Sequence, residues 1–408
     1  MQLFATIFDM STLTNPFKPG AGHMPPYLAG REMEKEEFDK LLDQNVILQN
    51  LILTGLRGIG KTVLLEGFRP LATKKDWLWV GTDFSESVSV TEKTMVLRLI
   101  TDIALITSNL MIASNQYTSI GFKDSSDTRG KDVYLDFMTL SNIYNNTPGF
   151  ESDKLKKVLE IVWIYLSKQG VKGLIFAYDE AQTISDHSQD HQYPFSLLID
   201  VFQSTQKKGI PFMLVLTGLP TILTKLIECR TYTERLFRVL VLEKLNNEES
   251  KEAILKPIQD NETVEFTRES INLIIKESGG YPYFIQYICK EVYDIFVQQS
   301  KIGEKLAVPM DAIIRKLDND FFAGRWAKAT EREKELMIII AKYGKQEFTV
   351  KEILPEVTKS NIKPFGRSQI NQMFTRLTDV GLLYKNRKGI YSFAVPLLER
   401  YIIRVSSL

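Results

Sequence analysis

The sequence predicts an α/β fold in which helices flank a parallel sheet, followed by an all-helical unit and a terminal unit of three helices and a hairpin. Three observations carry this. Short apolar runs near 51–54, 77–80, 173–178, 211–217 and 237–242 alternate with stretches of helical spacing, the order of strand–helix–strand units. Those runs are continuously apolar, as strands covered on both faces must be. After Leu245 the strand pattern stops and helical spacing takes over.

The chain has 408 residues, 44% of them hydrophobic and 25% charged, with a formal net charge of +1. That length suggests two or three domains at about 150 residues each. The overall charge balance points to no nucleic-acid or membrane partner, though charge can still be clustered. Cys229 and Cys289 lie in apolar helical contexts and read as reduced thiols, and His23, His187 and His191 have no metal-ligand spacing. The N-terminus lacks a basic leader, and no run reaches the ~20 apolar residues of a membrane span. The expectation is a cytoplasmic protein without a membrane partner.

Taken in order, residues 1–27 mix Pro16, Pro19, Pro25 and Pro26 with glycines and predict an irregular arm on the domain that follows. A helix follows Gly30-Arg31-Glu32, with Met33, Phe38, Leu41 and Leu42 at helical spacing. Strands are expected before Gly55 and at 77–80. Thr91 is placed to cap a helix over 92–110, with Glu92 in its first turn. Residues 111–150 are polar and glycine-interrupted, which predicts a partly helical surface insertion. Helices at 153–169 and 195–206 feed strands at 173–178 and 211–217, and a last strand fits 237–242. Helices then fit 248–257, 267–277, 283–298 and 309–322.

The chemistry is concentrated at 55–62. An apolar run ends at Gly55, a loop with Gly58 and Gly60 follows, and Lys61-Thr62 opens a helical pattern. This is the P-loop spacing. Its glycines let successive N–H groups turn inward onto phosphate oxygens, and the helix N-terminus adds partial positive charge. Gly55, Gly58, Ile59, Gly60, Lys61, Thr62 and Val63 are therefore candidate ATP-binding residues, with Lys61 reaching the β- and γ-phosphates and Thr62 offering a hydroxyl to Mg²⁺. Asp179-Glu180 closes an apolar run. Asp179 is the second candidate Mg²⁺ ligand and Glu180 the candidate base that polarises the attacking water. Thr217 reads as a polar sensor at the next strand tip or as a turn residue before Gly218. Arg235, with Arg238, reads as a finger for a neighbouring subunit's nucleotide or as a surface arginine covering apolar neighbours.

These stretches, with Leu28-Ala29-Gly30-Arg31-Glu32, Ala177-Tyr178-Asp179-Glu180-Ala181-Gln182 and Gly279-Gly280-Tyr281-Pro282-Tyr283, resemble the AAA+ ATPases of the origin-recognition-like and STAND-related group. The resemblance covers most of the chain, from about Asn15 onward. It implies an AAA+ core, a helical lid, and a nucleotide base approached by Gly30, Arg31 and Pro282. One departure stands out. Many such lids carry a sensor arginine where this chain has Gly-Gly-Tyr-Pro-Tyr-Phe, so a slow nucleotide switch is expected in place of vigorous turnover.

The C-terminal pattern predicts a winged-helix domain. Thr330 and Glu333 form a capping box, Phe348-Thr349-Val350 a short strand, 351–356 a helix, and Ser368 the cap of a third helix. Residues 382–385 and 390–393 form a hairpin. From Lys359 onward nine basic residues face only Asp379 and Glu399, a surplus of seven against a deficit of six elsewhere. Such clustering is a footprint for a phosphate backbone. Arg367, Gln369, Asn371, Gln372 and Arg376 on the third helix, with Arg387 and Lys388 on the wing, are the candidate contacts to double-stranded DNA.

The expected organisation is an arm at 1–27, an AAA+ core at 28–245 with its insertion at 111–150, a lid at 246–326 and a winged helix at 327–408. The expected function is an ATP-hydrolysing switch whose nucleotide state controls DNA binding. The alternative is a STAND-like signalling ATPase whose winged helix docks on the core or on a protein partner. A homo-oligomer is compatible with either.

Overall fold

A computed structural model describes residues 14–20, 22–44, 46–85, 87, 90–113, 133–229, 235–259, 266–302, 308–360, 363–387 and 389–407. The chain forms two compact units. One comprises 32–55 and 64–242, and the other the residues up to Arg31, the loop 56–63 and 243–408.

The first unit is built on a parallel sheet. Its elements are α1 (Glu32–Leu42), β1 (Asn50–Thr54), most of α2 (Lys61–Lys74), β2 (Trp77–Val80), α3 (Glu92–Thr107), β3 (Met111–Ala113), β4 (Val133–Tyr134), α4 (Phe137–Asn146), α5 (Glu151–Leu166), β5 (Gly173–Tyr178), α6 (Pro194–Lys207), β6 (Phe212–Gly218), α7 (Thr221–Cys229) and β7 (Phe237–Val241). The strand order is β2-β5-β6-β1-β7, and every neighbouring pair is parallel. β1, β5 and β6 are buried along their whole length, which explains why their sequences are apolar without alternation. The parallel register brings the carboxyl ends of these strands to one edge: Leu53 lies beside Thr217, Thr54 beside Gly218, and Tyr178 beside Leu216. Ligands of open α/β sheets bind at that edge.

Local signals hold where they were strongest. Thr91 caps α3 in a reciprocal box with Thr94, each N–H bonding the other hydroxyl at 3.1 Å. The insertion contains the antiparallel pair β3–β4 and the helix α4. β5 is anchored by Tyr178, whose hydroxyl donates to Asp102 Oδ2 at 2.8 Å, while Arg98 Nε donates to the same carboxylate at 2.9 Å. Burial pushes the Tyr178 phenol well above its usual value, so it stays a neutral donor.

The second unit carries α8 (Asn247–Leu255), α9 (Arg268–Ser278), α10 (Pro282–Ile302), α11 (Met310–Leu317), a π-helical segment at Asp318–Ala323, α12 (Gly324–Trp326), α13 (Glu331–Tyr343), β8 (Phe348–Thr349), α14 (Val350–Lys359), α15 (Arg367–Asp379), β9 (Leu383–Arg387), β10 (Ile390–Phe393) and α16 (Leu398–Ser406). The last three strands form an antiparallel sheet of order β8-β10-β9. Helix, strand, two helices and a hairpin is the element order expected of a winged helix.

Three details differ from the sequence reading. The described part of the N-terminal arm anchors on the helical segment: Asn15 Nδ2 donates to Lys290 O at 2.9 Å, and Phe17 stacks on Phe266. The cap of α15 is Gly366, two residues before Ser368, because Gln369 Oε1 accepts the Gly366 N–H at 3.0 Å. The buried Phe365 fixes the chain just ahead of that start. A further helix, α16, follows the hairpin; it begins at Leu397 in a left-handed conformation and buries Leu398, Tyr401 and Ile402.

Residues 1–13 of the predicted arm, most of the polar centre of the insertion, and Lys388 lie outside the described residues. Among the described residues, no helix is long and apolar enough to cross a membrane.

The turn between α9 and α10 depends on glycine. Gly280 has φ +79°, and a Cβ there would sit 2.3 Å from the Leu245 carbonyl oxygen. Gly280→Ala is expected to cost at least about 1–2 kcal/mol from the left-handed backbone alone, read as a lower melting temperature in thermal unfolding.

Candidate functional site

The phosphate loop leaves β1 at Gly55 and enters α2 at Lys61. Gly58 and Gly60 adopt φ +72° and +93°, values that side chains resist. A Cβ on Gly60 would meet nothing within 4 Å, so the requirement there is conformational and the space beside it is open. Lys61 is 9% exposed, and its ammonium donates to the Leu56 carbonyl at 3.0 Å. This folds the charge back over the loop. Thr62 follows in the first turn of α2, with Gly22 of the arm close by: a Cβ on Gly22 would lie 3.4 Å from Thr62 Cγ2.

Arg31 is buried, and its guanidinium is committed to main-chain oxygens. It donates to Ile59 O at 3.1 Å, Glu243 O at 2.9 Å and Gly30 O at 3.2 Å. It braces the loop from behind. Gly30 is left-handed at φ +62°, and a Cβ on it would run into the Glu249 side chain at 2.6 Å. Pro282 is the first residue of α10, where its missing N–H costs nothing. Its neighbour Tyr283 donates its backbone N–H to Gly58 O at 3.2 Å. The turn predicted as part of a lid is thus hydrogen-bonded to the phosphate loop, a contact without any local sequence signal.

In the sheet unit, Asp179 follows β5 and is 4% exposed. Its backbone bridges to the segment after β2, with Phe84 N–H donating to Asp179 O at 2.9 Å and Asp179 N–H to Thr82 O at 3.2 Å. Its carboxylate accepts the Glu180 N–H at 2.7 Å. Glu180 is exposed and left-handed at φ +52°, a costly conformation for a non-glycine residue and one that concentrates at functional sites. Gln182, which the sequence reading gave no role, donates to the Glu180 carboxylate while its Oε1 accepts the Leu219 N–H at 2.9 Å. It ties the acid to the end of β6.

Thr217 is fully buried in β6, and its hydroxyl has no hydrogen-bond partner among the described residues. An orphaned buried hydroxyl is costly, and at this edge it is suited to meet a ligand or water. Arg235 is exposed at the start of the β7 segment, while Arg238 is paired with Glu37 at 2.8 Å. Within the sheet unit, the buried Asp179 and the orphaned Thr217 hydroxyl stand at the ends of the adjacent strands β5 and β6.

On α15, Arg367, Gln369, Asn371, Gln372 and Arg376 are all exposed. Two of them already have partners: Gln369 caps its own helix, and Arg376 is ion-paired with Glu333 of α13. Of Arg387 only the main chain is described, and Lys388 lies outside the described residues.

A family model described as a domain of unknown function (DUF8462) matches residues 319–402. No curated protein matches the sequence. Among solved structures, the Aeropyrum pernix ORC2 protein in its ADP form superposes with a TM-score of 0.53 at 14% identity, covering 95% of this chain and 96% of that one. The same protein in its ADPNP-ADP complexes gives a TM-score of 0.52 at 13% identity, covering 96% of this chain and 98% of that one. The chain has the fold of the origin-recognition-like AAA+ P-loop ATPases.

Proposed function

We propose that this protein binds ATP with Mg²⁺ and hydrolyses it slowly, as a switch. The observation that carries the reading is the glycine-rich loop, where Gly58 and Gly60 take positive φ values just ahead of Lys61. The Aeropyrum pernix relative solved with ADPNP and ADP supports the same ligand class. In this reading Gly55–Val63 cradles the phosphates, and Lys61 exchanges its Leu56 carbonyl for phosphate oxygens. Mg²⁺, held by Thr62 and Asp179, would neutralise charge on the β- and γ-oxygens. Glu180 takes the proton of the attacking water, Gln182 fixes the orientation of that carboxylate, and Thr217 donates its unused hydroxyl. Arg31 acts behind the loop, so the base-side contacts fall to Gly30 and Pro282. Arg235 serves a neighbouring copy where one assembles. The working division is a core at 28–245, a lid at 246–326 and a winged helix at 327–408. Titration with ATP and ADP, followed by Mg²⁺-dependent phosphate release, tests this; no saturable nucleotide binding would overturn it.

The output is proposed to be DNA binding through α15 and the wing, with protein docking as the second reading. A specific observation favours the second. Several of the basic residues behind the charge surplus have internal partners: Lys359 with Glu356, Arg376 with Glu333, Arg404 with Asp318, and Arg400 with Lys276 O. Lys363, Arg367 and Lys385 remain exposed. If DNA is the partner, changing Arg367 and Lys385 to alanine lowers the slope of log affinity against log salt by roughly two, about one per phosphate contact. A duplex affinity that ignores both salt and the double substitution leaves protein docking as the output.

A further inference from the structure

The turn that follows the paired acids is held by a cation. Glu180 keeps a left-handed backbone at φ +52°, which persists in a non-glycine residue only where the surrounding structure fixes the chain. Upstream, the buried strand β5 does this. Downstream, the chain makes a single 3₁₀ turn at Ala181–Thr183 and passes Ser185 and Asp186 on its way to α6. Lys225 of α7 reaches into this stretch. Its ammonium donates to the Gln182 carbonyl, to Ile184 O at 3.0 Å and to Ser185 Oγ at 2.7 Å. All three of its N–H groups are thereby committed. Lys225 is half-buried, and among the described residues no carboxylate forms an ion pair with it. A lysine that served only to solvate its helix would carry its head out to water, whereas this one turns inward onto three consecutive oxygens of one short segment. That segment is pinned at its far end as well. The Asp186 carboxylate accepts the N–H groups of Phe195 at 2.9 Å and Ser196 at 3.2 Å, and the Cys229 thiol at 3.2 Å. Gln182 is thus gripped twice: its side chain by the Leu219 N–H and its carbonyl by Lys225. Its remaining amide group holds the Glu180 carboxylate.

We propose that Lys225 is a positioning residue for hydrolysis: it fixes the main chain at 182–185, so that Gln182 presents the Glu180 carboxylate in one orientation to the attacking water. This rests on the reading of Glu180 as the base and adds what holds that base in place. Lys225 acts through Gln182 and touches neither the base nor the nucleotide. α7 directly follows β6, so the Thr217 hydroxyl, the Leu219 N–H and the Lys225 ammonium belong to one continuous stretch of chain. The strand tip and the base are thereby kept in register by two grips on a single glutamine. A cavity of about 880 Å³ opens beside Lys225, lined also by Ser185, Asp186, Ser196 and Glu228. With its donors already spent, Lys225 has none to offer a ligand there, but the space admits a small amine in place of its head.

The test is steady-state phosphate release and equilibrium ADPNP binding by the full chain, with Lys225→Met, Lys225→Ala, Gln182→Ala and the Lys225→Met/Gln182→Ala pair beside the parent. Lys225→Met should lower kcat roughly ten- to 100-fold, the scale of a slightly misplaced catalytic group, and leave KM and ADPNP affinity within about twofold. Because both residues act on the same carboxylate, the double variant should lose no more than the worse single one. Ethylamine added to Lys225→Ala should restore part of the lost kcat and do nothing for Lys225→Met, whose stem fills the space. The variants should fold, since Asp186 still ties the turn to α6. A parental kcat in Lys225→Met overturns the proposal. So do losses of kcat and affinity together, additive with Gln182→Ala and untouched by the amine, which is what a general structural role predicts. Glu180→Gln is the control for the underlying reading. If it turns over like the parent, or the parent releases no phosphate, the base assignment has failed, and amide hydrogen exchange of the nucleotide-free protein judges the brace alone. Faster exchange at 180–186 in Lys225→Met, with β5 and β6 unchanged, keeps Lys225 as the residue that holds the turn; unchanged exchange there overturns that too.

Discussion

Lys61→Ala should reduce ATP and ADP affinity by roughly 100-fold or more, measured by calorimetric titration of the full chain, because charge-assisted bonds to phosphate are lost from a largely buried site. Lys61 is 9% exposed, and its ammonium rests on the Leu56 carbonyl at 3.0 Å, so its removal also leaves that oxygen without this donor. The nucleotide-free protein should nonetheless fold, since the loop is held independently by Arg31 on Ile59 O and by Tyr283 on Gly58 O. A variant that still binds ATP as tightly as the parent would show that the loop does not hold phosphate.

Glu180→Gln should separate binding from turnover. The substitution keeps the shape of the side chain and removes its basicity, so nucleotide affinity should hold while phosphate release falls roughly 100- to 10,000-fold, the usual contribution of a general base. Because Glu180 is exposed and accepts from Gln182, the glutamine variant also tests orientation. Gln182→Ala should lower turnover less than Glu180→Gln does, by a factor measurable in the same phosphate-release assay. Unchanged turnover in Glu180→Gln would move the base elsewhere.

Much of the fold was legible because its signals are local. Runs such as Leu174-Ile175-Phe176 are apolar on both faces because helices cover both faces of the sheet, and the capping boxes at Thr91 and Thr330 mark helix starts through bonds spanning only three residues. The phosphate loop is equally local: glycine spacing and a following lysine encode it without help from distant residues. α16 was not read, although Leu398, Tyr401 and Ile402 are spaced for a helix, because its start at the left-handed Leu397 carries no polar cap.

Local sequence carries the order of the elements, the glycine-rich loop ahead of α2 and the paired acids after β5. The partners of the long side chains, by contrast, come from the folded chain. Arg31, Gln369 and Arg376 read as ligand-facing groups, and each has an internal partner in the fold: a loop carbonyl, a helix cap and a carboxylate. The reason is reach. Periodicity and capping act over a few residues, whereas a guanidinium or amide finds its partner among whatever groups the folded chain brings within a few ångströms, and sequence spacing does not encode that choice.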